Sequence, residues 1–455
     1  MIGVAVLALV AAAPATSGQA VQPDPESRFY SNDPADSRET PQGEPLPPEE
    51  AMERNLLEAA RRGAHSYYDT SKVSLDAPST RSLSADLPMA PSEDDLRKCL
   101  TVPAAKSRLG WTYNRMFWCQ ELGFDVAYEK VNSQTGERTY KGTNQIRYQM
   151  VVAGTNTRRA IRVFFRPITG SLRFPDWSAA DNPGDLNLAL NAECGQTSFY
   201  CSVAGPTVRK TWNEWNTSGA WVSWDVTSNE QASDAPRDKI IFHTWRLTFD
   251  GTSLDYPMGG KRTWDRPFRC DSATYFNRWA RIYDKACVLT NVIPHLQYDI
   301  SDDRVSEVAL HIRQALDTPA ITWPKESHPK NIPGKWFNGD PELPEDLPPG
   351  LHRVPGDGDI AKDNEQYKNW ACERKGPYNE QTGLPPKTPQ QEGYECDEYP
   401  FHVAEEGAAH PTYDFSVKWV PKTQNGSAGG RLQQRFFFED RILHVLDEFW
   451  VKIND

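Results

Sequence analysis

Positive charge is what this chain is short of. Its 455 residues carry 50 Lys and Arg against 62 Asp and Glu, a formal net charge of −12. A protein that grips nucleic acid by surface charge is basic, because phosphate neutralisation by Lys and Arg supplies most non-specific affinity. The balance counts against a sequence-reading DNA binder. It counts less against a nuclease, since a bound divalent cation inverts the local charge at an acidic site. Also missing are a P-loop, a Gly-x-Gly-x-x-Gly run and a Gly-x-Ser-x-Gly elbow, which removes the usual support for nucleotide-binding and α/β-hydrolase readings. There is no internal repeat, and no Cys-x-x-Cys pair of the kind a structural zinc site uses. Beyond residues 1–20 no apolar run is long enough to span a bilayer.

Residues 1–20 are a short apolar run ending in small residues around Ser17, Gly18 and Ala20. That is the pattern of a signal peptide's apolar region and cleavage site, so a secreted, extracellular protein with no membrane span is expected. The eight cysteines agree, because an even count in an exported chain signals disulfides. Each sequence-adjacent pair closes a short loop and long gaps separate the pairs. The expected bridges are Cys99–Cys119, Cys194–Cys201, Cys270–Cys287 and Cys372–Cys396. The last would clamp the segment just before Asp397 and constrain the unfolded chain by roughly 3 kcal/mol.

The length allows two or three domains. Residues 21–94, rich in Pro, Ser, Asp and Glu, read as a disordered leader containing one helix. Pro48-Glu49-Glu50 opens that helix, Met52, Leu56, Leu57 and Ala60 recur at helical spacing, and Arg61-Arg62 closes it. It reads either as a pro-segment or anchor, or as a helix packed on the next domain.

Residues 95–300 read as a β-rich, sandwich-like domain. Ile146, Tyr148 and Met150, then Ile161, Val163 and Phe165, then Ile241, Trp245, Leu247 and Phe249 sit in runs that alternate with polar residues. Its many tryptophans, among them Trp118, Trp212, Trp215, Trp224, Trp245 and Trp264, suit either a buried core or a ring platform for a glycan or cell-surface polymer. His243, on an apolar strand face, reads as a hydrogen-bonded core residue. Residues 301–358 form a helix, with Val305, Val308, Ala309, Ile312 and Leu316 on one face, followed by a proline-rich linker. The last module, 359–455, opens with a helix over Asp359–Ala371 that turns Tyr367 and Trp370 inward. Strands follow around Tyr399 and over 415–420, then a helix over 428–438 and a final strand over 444–453.

Within this module Gly393 to Phe401, Glu405-Glu406-Gly407 and Asn425 to Gly430 bring together carboxylates, an asparagine and a glycine-rich bend. Oxygen donors of this kind suit Mg, Ca or Mn, although adjacent acids before a proline also make a solvated turn. The string Cys396-Asp397-Glu398-Tyr399-Pro400-Phe401, the Glu-Gly-Ala-Ala block at 406–409 and Asn425 to Leu432 resemble the NucA/NucB family of secreted bacterial deoxyribonucleases. The closing stretches at 441–443 and 449–453 resemble that family's end.

The resemblance implies a small α+β module akin to the ββα-metal nucleases, acting on DNA with Mg2+ or Mn2+. Asp397 then stands as general base where most such nucleases have a histidine. Glu398 steers the cation, and Glu406 and Asn425 complete its coordination or orient the water. Neighbouring Glu398, Glu405 and Glu406 would raise Asp397 from its reference value by like-charge repulsion. Arg431 and Arg435 are the expected phosphate clamps. His402, where the family has small residues, is either a further acid or base at the substrate or a space filler. The module is itself acidic, with six Lys and Arg against twelve Asp and Glu in residues 391–455. Two other classes fit the same sequence. One is a non-catalytic surface or glycan binder with a degenerate module, and the other an antibacterial DNase toxin with an immunity-protein partner.

Overall fold

Alternating apolar side chains from the first two thirds of the chain build two packed, curled sheets. The computed structural model describes residues 28–30, 44–64, 87–251, 253, 255–258, 260–276, 283–337 and 347–455. Residues 1–20, where a signal peptide is expected, and most of the leader lie outside the described residues. One sheet orders its strands Arg28–Tyr30, Phe117–Val131, Arg138–Ala153, Ala160–Pro167, Val222–Ser228 and Cys201–Ala204, with Trp111–Asn114 paired to Phe117–Val131. The other orders Ala286–Val288, Arg266–Asp271, Ile241–Asp250, Asn187–Cys194 and Val208–Thr211. Between them lies a core that includes Phe124, Tyr148, Met150, Phe165, Leu190 and Leu247.

The tryptophans belong to this core. Trp118, Trp212, Trp215, Trp224 and Trp245 are fully buried. Four of their indole N–H groups have partners among backbone carbonyls and a tyrosine, with Trp212 donating to Tyr128 Oη and Trp215 to the Leu188 carbonyl, both at 2.9 Å. A ring platform for glycans is not built from these side chains. All four expected disulfides are present, Cys99–Cys119, Cys194–Cys201, Cys270–Cys287 and Cys372–Cys396.

His243 is buried and its Nε2 shares a 2.8 Å hydrogen bond with Ser228 Oγ. Burial, helped by the nearby Arg159 charge, pulls its imidazole down to about 3. The folded protein therefore holds His243 neutral while the unfolded chain protonates near pH 6.5. Stability should fall as pH drops from about 6.5 towards 3, by about 1.4 kcal/mol per pH unit for this one group. Denaturation midpoints measured from pH 7 to 4.5 should show a shallower decline in His243→Asn than in the wild type.

The leader helix is real and spans Pro48–Arg61. Its apolar face, with Met52 and Leu56, packs beside Trp111, Phe117, Phe164 and Phe242 of the β-rich part and Trp450 near the C-terminus. Asn55 donates to Thr290 Oγ1 at 2.9 Å. It is thus a helix packed on its neighbours and a bridge between the two ends of the chain.

The C-terminal elements are numbered from β1 (His295–Asp299) through α1 (Ser306–Asp317), β2 (Leu351–His352), α2 (Asp359–Glu373), β3 (Tyr394–Tyr399), β4 (Ser416–Pro421), α3 (Lys422–Gly430) and β5 (Glu448–Asn454). β1 runs parallel to β5, which pairs antiparallel with β2 on its other side. β3 and β4 form a separate antiparallel hairpin. The proline-rich stretch is held against the module: Trp336 stacks on His295 at 4.2 Å between centroids, and β2 joins the sheet. The glycine-rich bend expected at 425–430 is helical instead. α3 starts at Lys422 and passes into a π-helical turn over Arg431–Phe436. Packing overrides the glycines, because Ala428, Leu432 and Phe436 enter the core and Tyr298 Oη donates to the Ala428 carbonyl at 2.8 Å.

Candidate active site

Successive residues of a strand face opposite sides, and this divides the Asp397-Glu398 pair. On one face of β3 lie Glu395, Asp397 and Tyr399, and β4 adds Ser416 and Lys418 directly opposite Tyr399 and Asp397. α1 closes this face. His311 Nδ1 donates to Asp397 Oδ2 at 2.7 Å, and its Nε2 shares a 2.9 Å hydrogen bond with Ser416 Oγ. The first bond fixes the neutral imidazole as the Nδ1–H tautomer, so Nε2 accepts the serine proton. Asp397 and His311 are both buried. Burial raises the Asp397 carboxyl above its usual range and the Glu398 charge adds to this, while the His311 hydrogen bond opposes it.

The hairpin's other face carries Cys396 and Glu398 and is closed by α2. The Cys372–Cys396 bridge ties α2 to β3. Glu398 accepts from His402 Nδ1 at 3.2 Å and lies 3.9 Å from Lys368 Nζ on α2. Burial acts to raise its carboxyl, but His402 and Lys368 hold it below the ordinary glutamate value. Glu398 and His402 are therefore partners of each other on the face away from Asp397.

Asn425, on α3, stands on the Asp397 side. Lys422 and Asn425 both hydrogen-bond the Glu395 carboxyl and hold it below its usual range. The Lys422–Glu395 contact is 2.9 Å, and Lys418, the cross-strand partner of Asp397, lies 3.5 Å from Glu307 on α1. Cationic groups thus border this face, but not the ones expected. Arg431 and Arg435 are each about 1% exposed, Arg431 held by Asp302 at 2.7 Å and Arg435 beside Glu439 at 3.4 Å. The π-helical turn points both inward, which corrects their placement on a solvated, phosphate-clamping face.

Glu406 belongs to a second centre. Both of its oxygens bond His352, Oε1 accepting from Nδ1 at 2.7 Å and Oε2 from the backbone N–H at 2.8 Å. Burial lowers the His352 imidazole, but the Glu406 bond and charge leave it above its usual value. Ligand atoms of His352, Glu405 and Glu406 lie within 4.8 Å of one another. Glu448, opposite His352 on β5, is pushed up by burial, with a smaller contribution from Glu406. His352 and Glu448 open on a cavity of about 310 Å3 whose far wall is the leader helix, through Glu49, Met52 and Glu53. The three residues expected to share one cation, Glu398, Glu406 and Asn425, therefore stand in three places.

Two histidines were not singled out from the sequence. His311 had a signal, since it sits three residues after Val308 on the apolar stripe of α1. His352 had none in the proline-rich stretch. Among the described residues, the other His and Cys group of ligand spacing is Cys194, Cys201 and His243, and its two cysteines are disulfide-bonded.

Residues 353–452 match the family model described as Deoxyribonuclease NucA/NucB. The match covers β3, β4, α3 and Asp397, and leaves His311, His352 and the two large sheets outside it. No curated protein and no solved structure matches the chain.

Proposed function

From a NucA/NucB deoxyribonuclease domain at residues 353–452, we propose that the protein is an exported, divalent-cation-dependent endonuclease that hydrolyses DNA phosphodiester bonds at the Asp397 face of the hairpin. The observation that supports this most is Asp397 itself. It lies in the family segment on a strand–strand–helix unit, paired with His311 and raised by burial. The order β3, β4, α3 is compatible with the ββα-metal arrangement that the family resemblance implies.

Hydrolysis needs a base for water, charge to offset the crowded anionic phosphorane and leaving alkoxide, and donors to position phosphate. Asp397 is the base. His311 donates to Oδ2 and the Glu398 backbone N–H also bonds the carboxyl, which orients it, and a raised carboxyl is a better proton acceptor near neutral pH than an ordinary aspartate. Lys418 and Lys422 take the positioning role in place of Arg431 and Arg435. Mg2+ or Mn2+, when bound, supplies charge stabilisation of the phosphorane and the leaving oxygen. The oxygen donors Asn425 and Glu395 on the Asp397 side suit these hard ions. Export is supported by the residue pattern at 1–20, by four disulfides, and by the finding that no described helix is long and apolar enough to cross a membrane.

A second location for the cation is favoured by the His352, Glu405 and Glu406 group, in which Glu406 accepts the Nδ1 hydrogen bond of the imidazole and so orients it, as carboxylates behind histidine metal ligands do. Plasmid cleavage titrated with Mg2+ and Mn2+ separates the two, with EDTA as blank. Asn425→Ala should raise the half-saturating metal concentration about tenfold or more, and Glu406→Gln should leave it nearly unchanged. The reverse pattern moves the cation to His352. No cleavage by the wild type under any metal removes the nuclease reading.

A further inference from the structure

Among the described residues the β-rich part of this acidic chain contains a cavity with a cationic lining, besides another of about 570 Å3 bordered by Arg147 and Arg173. The first measures about 610 Å3 and is lined by Arg158, Arg159 and Lys285 against the single carboxylate Glu230, with Ser198, Ser202, Thr227, Ser228 and Asn229 supplying hydroxyl and amide groups. Lys285 reaches Glu230 at 2.6 Å. Arg159 is built into the wall. It is 5% exposed, and it donates to Ser228 Oγ at 2.9 Å, Ser272 Oγ at 3.1 Å and the Lys239 carbonyl at 2.7 Å. Its Nε and the nearby His243 Nδ1 are buried without a partner. Burial pulls this guanidinium down to about 10, the charges of Asp271 and Glu230 offset only part of that cost, and an anion in the cavity would offset more.

The rim carries a second feature. The Cys194–Cys201 bridge closes a short loop that presents Phe199, 60% exposed, in edge contact with Tyr200. Asn229 pins this loop to the cavity. Its Nδ2 donates to the Phe199 carbonyl at 2.7 Å and its N–H to the Tyr200 carbonyl at 2.8 Å. An aromatic face beside a cationic, hydroxyl-lined cavity is what binds a nucleobase next to its phosphate, because stacking tolerates any base and the cations track the backbone.

We propose that this cavity is a second nucleic-acid contact, in which Arg158, Arg159 and Lys285 take one backbone phosphate and Phe199 stacks the adjacent base. That the phosphate belongs to nucleic acid rests on the deoxyribonuclease reading. The site gives an acidic nuclease a hold on substrate away from its own acidic module.

The test is fluorescence anisotropy of a fluorescein-labelled single-stranded DNA 12-mer with the full chain, in EDTA so that nothing is cut, at low salt. Arg158→Gln combined with Lys285→Gln should weaken binding about tenfold or more and flatten the salt dependence. Phe199→Ala should weaken it about tenfold. Inorganic phosphate should compete. Equal binding by wild type and the double variant, with both folded by circular dichroism, overturns the proposal. Thermal stabilisation by inorganic phosphate without oligonucleotide binding also overturns it, by making the cavity a free-anion site. Binding as expected in a protein that cuts no DNA would leave this site standing and remove only the nuclease reading.

Discussion

Cleavage of supercoiled plasmid is expected to fall about 100- to 10,000-fold in Asp397→Asn, the usual contribution of a positioned general base. Asparagine keeps the shape of the side chain and an oxygen to accept from His311 Nδ1, so the contact seen at 2.7 Å survives. What it loses is the ability to take a proton. A purely structural role for Asp397 predicts a different second readout. The carboxyl is raised by burial, so the folded state holds its proton more tightly than the unfolded chain. Its contribution to stability is then complete below the unfolded value and is lost as pH rises through the folded one. Ionising this buried carboxyl costs stability, so a side chain that cannot ionise should leave the thermal midpoint unchanged or higher. Activity falling while stability holds or rises places Asp397 in the chemistry, as expected where a catalytic group is kept against the interest of stability. A variant that is both inactive and unstable would make it a structural group. The same argument sets the pH profile: cleavage should decline on acidification through a value above the ordinary aspartate range.

How much of this site was legible in the sequence follows from distance along the chain. Asp397 and Glu398 were readable because they sit in one short string, the two strands around them were readable from local alternation, and so was the Cys372–Cys396 clamp. That the two carboxylates serve opposite faces follows from the two-residue period of a strand once β3 is recognised. His311 is 86 residues from Asp397, and His352 is 54 from Glu406. Contacts of that separation depend on how helices and strands pack, which no local pattern encodes. The misplacement of Arg431 and Arg435 has a local cause. The helix begins at Lys422 and passes at Arg431 into a π-helical turn in which Arg431, Leu432, Arg435 and Phe436 are all buried, and a π turn has no signature in a short pattern of apolar residues. The two sheets were legible in kind from alternation, but their strand order was not, because it is set by long-range pairings such as Cys201–Ala204 beside Val222–Ser228.

The second large effect is expected at Asp447, which has no proposed role in the chemistry. Asp447→Ala should destabilise the protein by roughly 3–5 kcal/mol, the cost of breaking a buried ion pair from one side. Asp447 joins the two parts of the chain. Its carboxylate lies 2.8 Å from Arg115 and 2.7 Å from Arg269, both contributed by the β-rich part, and it accepts the Leu443 N–H at 2.8 Å. Arg441 pairs with Asp271 at 2.7 Å alongside, and all five side chains are inaccessible to solvent. Burial acts to raise the Asp447 carboxyl, yet Arg115 and Arg269 hold it below its ordinary range. Alanine would leave Arg115 without its carboxylate and Arg269 with only Asp271 at 3.7 Å. The double variant Arg115→Met/Asp447→Leu, which removes charge from both sides, should recover part of the loss, because the penalty lies in the orphaned guanidinium more than in the missing attraction. Denaturant unfolding read by tryptophan fluorescence and by circular dichroism checks this. The wild type should unfold in one coincident transition, and Asp447→Ala should separate the two signals, because the tryptophans are concentrated in the sheets while this network couples those sheets to the nuclease segment. Coincident transitions with an unchanged midpoint would mean that the leader helix and the Trp450 contacts, not the charges, hold the two parts together.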